Sequence, residues 1–432
     1  MDATAQRFVL WALKSLGMEI EPCGNGAFSC GLRNGERDAF GGSEQICFSF
    51  EPTTAESGLT VEYLTFGAPL FRWLMKQLTA AGKPMHAAPA GQPQSVHELS
   101  QRLFDTYVLD EGNVHLSGCT LEDRPFLRLT FLEQEELASR REVLTHVFMD
   151  AKGNVLSDGL RTSLGLDDLV PLAPPPHQLN HSDLKRWIAA GNRLYQSSGR
   201  SAAHSELVAV AIVWCKHVEG KLSFVTHDAG ADVSFSGWAQ LLKDGRTKPP
   251  PFPCPHSGEA SYHLSVTDDG RLTVAEAIGV CAETGQRVLK IELETCEATG
   301  NLALEERFVT CPVSEQRVLC SALETCSECR REVSPGVLEA ARCTACRNVQ
   351  SISKDDPRMA RLLGEYPQLD RWRRWHMSET ADVYILNATG LAKRLLLVVD
   401  KDSLEVLRLA RRGRFATNWI DLASNDRTDL LR

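Results

Sequence analysis

Four cysteines, Cys281, Cys296, Cys311 and Cys326, stand fifteen residues apart. Each opens a similar unit: CAETGQRVLKIELET, CEATGNLALEERFVT, CPVSEQRVLCSALET and CSECRREVSPGVLEAAR. Cys, then Thr-Gly or Ser-Glu, then an apolar pair reads as a tight turn followed by a short strand. A unit of this size cannot bury a core alone, so neighbouring units must pair or be held by metal. Nine of the fourteen cysteines fall between Cys254 and Cys346, so the crowding is local to this ladder.

The last unit carries the sharpest chemistry. Cys326 and Cys329 form one CxxC knuckle, and Cys343 and Cys346 form another. A knuckle turns two thiolates onto one ion with backbone N–H groups aimed at the sulfurs. Two knuckles make the four-sulfur tetrahedron that Zn²⁺ prefers. With all four positions filled, the ion is expected to be structural. An iron–sulfur cluster needs four thiolates too, but the ladder spacing favours it less. A second site is expected from Cys254, Cys281, Cys296 and Cys311, with His256, His263 or Cys320 able to replace one member. The competing reading makes these cysteines small buried hydrophobes packing the ribbon.

CxxC pairs read as metal ligands in a reducing compartment and as disulfides outside it. The opening MDATAQRFVLWALKSLG has an acid at Asp2 and no apolar signal core, so a cytoplasmic protein is expected. The longest apolar run, Leu207 to Cys215, is far too short to span a bilayer, so no membrane role is expected. Proline-rich PLAPPPHQ (171–178) and KPPPFPCP (248–255) read as linkers. They give four expected domains: an α+β domain at 1–170, a small α+β domain at 179–248, the cysteine ladder at 254–350 and a basic α+β domain at 351–432. The fold class is thus α+β and multidomain, with a zinc-ribbon-like β repeat.

In the first segment, helices are expected from Arg7 to Leu16, over APLFRWLMKQLTAAG with Leu70, Leu74 and Leu78 on one face, and from Ser95, where Glu98 completes a capping box. EQEELASRREVLTHVF (133–148) reads as a charged helix. His86, His97, His115 and His146 lack metal-ligand spacing and read as structural or surface residues. The order QICFSFE, then TVEYLTFGAPLFRWLMKQL, resembles the region that follows the motor in bacterial SNF2-family helicases of the RapA/HepA kind. Phe48 to Glu51 matches that family's strand. Phe66, Gly67, Ala68, Pro69 and Leu70 match its GHPL helix start, with Ala68 where histidine is usual. The resemblance covers residues 1–160. No GxxxxGK[ST] loop or DExH box occurs, so it implies an accessory to such a motor ATPase, not a motor.

In the second segment, a helix is expected near Ser182. ELVAVAIVWCKHVEGKLSFVTH reads as a hairpin turning at Glu219-Gly220. Cys215 and His217 share a strand face and read as one core cysteine and one satisfied or exposed histidine, with a nucleophile pair as the sharper alternative. His227, Asp228 and Asp232 form a polar cluster that could take a divalent ion. HExxH, GxSxG and GxGxxG are absent, so no catalytic residue is assigned. An enzyme with an unrecognised metal-dependent nuclease or hydrolase site in 1–248 is the rival reading, and a structural protein of another assembly is a third.

Residues 341–432 hold 17 basic and 12 acidic residues, a balance of +5, which leaves −14 for the rest of a chain whose total is −9. Arg371, Arg373 and Arg374 flank Trp372 and Trp375. Arg408, Arg411, Arg412 and Arg414 form a second cluster. Arginine interleaved with aromatics suits DNA or RNA, or an acidic protein partner. The expectation is a zinc-binding adaptor for a helicase-like nucleic-acid-processing complex.

Overall fold

The computed structural model describes residues 1–24, 26–52, 60–135, 141–197 and 205–431. Where four domains are expected, the chain forms two compact units. The first is 1–252 with 262–264, and the second is 253–261 with 265–432. Both are α+β, and the second contains the cysteine ladder.

Unit 1 is organised by one long strand. The strand β6 (Asn113–Glu135) pairs antiparallel along most of its length with β9 (Ser205–Val225). That pairing merges the expected domains 1–170 and 179–248 into a single sheet. Its order is β7-β6-β9-β5-β8, with β7 Arg141–Met149, β5 Met85–Pro89 and β8 Leu169–Pro171. A sixth strand, β10 (Gly230–Trp238), pairs with the second half of β9. Between β5 and β10 the edge of β9 would be left unpaired. The buried amide of Gln92 fills the gap, donating to the Trp214 carbonyl (3.2 Å) and accepting from the Lys216 N–H (3.1 Å).

Alternation divides the sheet residues between two cores. Leu127, Leu129, Phe131, Ile212 and Trp214 pack with helix α4 (His181–Ser197). Phe126, Ala211, Val213 and Cys215 pack with α1 (Ala3–Ser15) and α2 (Pro69–Ala81), where Leu70, Leu74 and Leu78 are buried as expected. The resembling segment forms a second, four-stranded sheet, β1-β2-β3-β4 (Ile20–Pro22, Ala27–Gly31, Gln45–Ser49, Val61–Tyr63). Ala68 offers no side chain to cap α2, and Glu62 accepts from the Leu70 N–H instead (3.1 Å). Helix α3 (His97–Phe104) starts later than expected. Glu98 still accepts from the Ser95 N–H, but the Ser95 hydroxyl caps nothing.

Two sequence expectations fail here. The charged helix at 133–148 is instead the end of β6 and then β7, with 136–140 outside the described residues. Val143, Thr145 and Val147 alternate with Leu144 and Phe148, a period-two pattern that pairs against Arg128–Glu133. Glu219-Gly220 is not a turn. The strand runs through it with a bulge. A Cβ at Gly220 would lie 2.2 Å from the Cys119 sulfur, so close strand approach is what needs this glycine. The turn is at Thr226–Ala229, closed by an N–H to carbonyl bond of 2.8 Å.

In unit 2 the ladder is a row of hairpins, among them Ile278–Val280 with Arg287–Leu289, Leu293–Thr295 with Leu302–Leu304, and Phe308–Thr310 with Arg317–Leu319. In each, the cysteine after the first strand accepts from the N–H four residues on and donates to the carbonyl five residues on. The fourth position after the cysteine is left-handed: Gly285 and Gly300, then Glu315 (φ 61°) and Arg330 (φ 62°). This explains Thr-Gly in two units, and Ser-Glu is the strained version of the same turn. Cys254 opens an identical turn ending at Gly258.

The C-terminal sheet has six strands in order, β11 to β16: Gln350–Ile352, Arg374–Glu379, Val383–Thr389, Lys393–Asp400, Val406–Gly413 and Ile420–Asp421. One face packs on helix α5 (Pro357–Glu365) through Trp375, Leu386, Leu395 and Leu397. The other packs on the ladder through Ile385, Leu396, Val398 and Ala410. The expected domains 254–350 and 351–432 therefore share a core. Among the described residues no helix is long and apolar enough to cross a membrane.

Candidate metal centre

The two knuckles converge. Cys326 and Cys329 flank a turn after the strand Glu324–Thr325. Cys343 ends the last hairpin and caps a one-turn helix, Thr344–Arg347, that carries Cys346. All four side chains are buried, and their sulfurs lie within 4.8 Å of one another. Cys326 to Cys346 and Cys329 to Cys343 are each 3.8 Å. A disulfide would need about 2 Å. A metal tetrahedron with bonds of about 2.3 Å has an edge of about 3.8 Å. The four cysteines fit a metal ion and can hold one.

Backbone donors support the sulfurs. The Cys343 N–H points at the Cys326 sulfur (3.3 Å), and the Cys346 N–H points at that of Cys343 (3.4 Å). Hydrogen bonding from Cys329, then from Cys343 and Cys346, holds the Cys326 thiol far below the usual range. Donation toward Cys326 and the other sulfurs holds Cys346 far above it. Four converging thiols cannot all ionise in a buried site without a cation to balance them.

The site is tied to the C-terminal sheet by residues that sequence reasoning passed over. Glu328, inside the first knuckle, is a buried carboxylate. It accepts from Arg342 Nε (2.6 Å) and from the indole N–H of Trp419 (2.9 Å). Arg408 donates to the carbonyls of Ser327 (3.1 Å) and Glu328, and pairs with Asp421 at 2.7 Å. An acid within a CxxC knuckle and an arginine just before the next knuckle are the sequence signals that could have found this clamp.

The expected second site is not assembled. Cys254, Cys281, Cys296 and Cys311 are buried, but among the described residues they join no second group of three or more ligands. Stacking spaces them along the ladder. The Ala282 N–H bonds the Leu302 carbonyl and the Glu297 N–H bonds that of Arg317, linking each turn to the next hairpin. Each lone sulfur is occupied by backbone donors. Leu319 N–H reaches Cys296 (3.4 Å), and Ser334 N–H reaches Cys311 (3.2 Å). Cys254 contacts the Thr273 hydroxyl at 3.0 Å. Burial raises the Cys254 and Cys281 thiols, but hydrogen bonds outweigh it and bring both to about 7. His256 and Cys320 are exposed, and His263 faces Asp110 (2.9 Å).

The basic candidates divide. Trp375 is buried, and its strand alternation points it into the core, so it is no stacking platform. Arg408 is spent on the knuckle. Trp372 is half-buried against the β13–β14 turn, where a Cβ at Gly390 would lie 2.9 Å from its ring. Arg371, Arg373, Arg374 and Arg414 are exposed, and Arg411 and Arg412 are half-buried. In unit 1, burial raises the Cys215 thiol strongly, which removes it as a nucleophile. Asp232 bonds Ser223 at 2.6 Å, while His227 is exposed 3.9 Å from Asp228, so this cluster does not converge. His86 and His146 bond Trp214 and Thr130 as structural groups. His97 and His115 are exposed on the surface.

The chain matches no protein-family model and no curated protein.

Proposed function

We propose that this chain is a non-catalytic zinc-binding accessory protein of a helicase-like, nucleic-acid-processing machine. The carrying observation is the closed four-sulfur cage, with two opposite edges of 3.8 Å, all sulfurs within 4.8 Å of one another, and its loop clamped by Glu328, Arg342 and Arg408. Such a cage leaves no coordination position for water or substrate, so the ion it holds is structural. A single ion suits these edges. A multi-iron cluster, with irons and sulfides between its cysteines, needs a wider cage. The partner class rests on the likeness of residues 1–160 to the segment after the motor in SNF2-family helicases.

Metal analysis of protein purified without added metal tests the first half. One equivalent of zinc in a colourless protein supports it, and iron or no metal overturns it. Co-elution with a motor ATPase of that family, and a change in its ATP turnover, tests the second half. No association at low salt would remove the motor as partner.

A further inference from the structure

The register at one end of the C-terminal sheet aligns Arg374, Thr389, Arg394 and Arg412 as successive cross-strand neighbours on β12 to β15. Such neighbours share a face and lie about 4.8 Å apart. Arg373, Lys393 and Arg414 flank this row, and the Arg414 N–H to Ala392 carbonyl bond (3.1 Å) joins the two loops at this end. None of these six cations pairs with a carboxylate among the described residues.

Several cations elsewhere in unit 2 are paired: Lys354 with Asp370, Arg358 with Asp356, Lys401 with Glu379, Arg331 with Asp382, Arg347 with Glu339. The sheet end instead gathers six cations with no carboxylate partner among the described residues. Like charges directly opposite each other, as at Arg394 and Arg412, oppose folding. An anionic ligand relieves that repulsion. Two apolar side chains also project at this end. Leu391 is 92% exposed in the β13–β14 turn, and Phe415 is 96% exposed in the β15–β16 loop.

We propose that this end of the sheet binds single-stranded nucleic acid, with the arginine row on phosphates and Phe415 stacked on a base. Five of the six cations are arginine, whose planar fork fits phosphate oxygens. A projecting aromatic finds its partner on an unpaired base, since a duplex hides the base faces. The inference deepens the accessory reading and takes its nucleic-acid setting from it.

The test is fluorescence anisotropy on the zinc-loaded full chain. The probes are oligo-deoxythymidine and oligo-uridine of about 20 nucleotides and a duplex of the same length, between about 50 and 200 mM salt. Single strands should bind at least about tenfold tighter than duplex, either sugar supporting the proposal. The double variant Arg374→Ala with Arg394→Ala should reduce the slope of log affinity against log salt by about 1.4. Phe415→Ala should weaken single-strand binding by about tenfold and leave that slope unchanged. All three substitutions are at exposed positions, and unchanged zinc content and melting confirm each variant's fold. No single-strand binding at low salt, or binding indifferent to these variants, overturns the proposal. Preferential capture by phosphatidylserine vesicles, lost in Phe415→Ala, overturns it in favour of a membrane. Failure with zinc bound defeats this surface alone, whereas protein without zinc defeats the metal reading whatever the oligonucleotides do.

Discussion

Arg408 donates from the middle of β15 to the backbone carbonyl of Glu328, the residue that precedes Cys329 in the first knuckle. One buried guanidinium thereby fixes the metal loop against the sheet. Arg408→Ala removes the donor from the buried Glu328 carbonyl and from the partly buried Ser327 carbonyl and should cost about 2–3 kcal/mol. Arg408→Lys should recover only part, because an ammonium cannot serve both carbonyls and Asp421 in one plane. Urea unfolding followed by tryptophan fluorescence checks this. Wild-type stability in Arg408→Ala would contradict the clamp.

The ladder cysteines and the knuckle cysteines should separate in metal content. Cys343→Ser should lose the ion and loosen the core it shares with Val383 and Val398. Cys296→Ser should keep one equivalent and lose only about 1–2 kcal/mol, from a weakened N–H to sulfur bond and packing. Elemental analysis beside a melting curve distinguishes them. Two equivalents in the wild type would show that the ladder sulfurs bind metal after all.

Gly191 should invert an ordinary rule. Replacing a mid-helix glycine with alanine usually stabilises by about 1 kcal/mol. In α4 a Cβ at this position would stand 2.4 Å from Leu129 Cδ1 and 2.9 Å from the Met149 sulfur. Gly191→Ala should therefore destabilise unit 1 by about 1–3 kcal/mol. A rise in melting temperature would mean that the helix can move off the sheet freely.

His146 should make unit 1 acid-sensitive. Burial first, then the charges of Arg128 and Arg161, push its imidazole down to about 3. Unfolded, it titrates near about 6.5. Below that value the unfolded chain binds the extra proton, so this stabilisation is complete above about pH 6.5 and is lost as pH falls toward 3. Because the ring lines an open cleft with Arg161 and Tyr195, a loss of roughly 2 kcal/mol between pH 7 and 4.5 is expected. His146→Gln should flatten that part of the profile in urea titrations. Parallel profiles would remove His146 as the cause.

The fifteen-residue period, the paired knuckles, the apolar faces of α1 and α2 and the α+β class were legible in the sequence, because each depends on local spacing. CxxC brings two sulfurs together whatever surrounds it, and Leu70, Leu74 and Leu78 share a face by helical geometry alone. Tertiary packing decided the rest. Val143 to Phe148 follows strand alternation because the apolar strand β6 is there to pair with it. Cys296 and Cys326 occupy equivalent turns, but only Cys326 is followed by a hairpin bringing two more thiols to the same point. Arg408 and Arg394 look alike as basic strand residues. One is buried on a knuckle carbonyl and the other is exposed beside Arg412. A side chain's neighbours on other strands set its burial and charge balance, and those neighbours exist only once distant segments have come together.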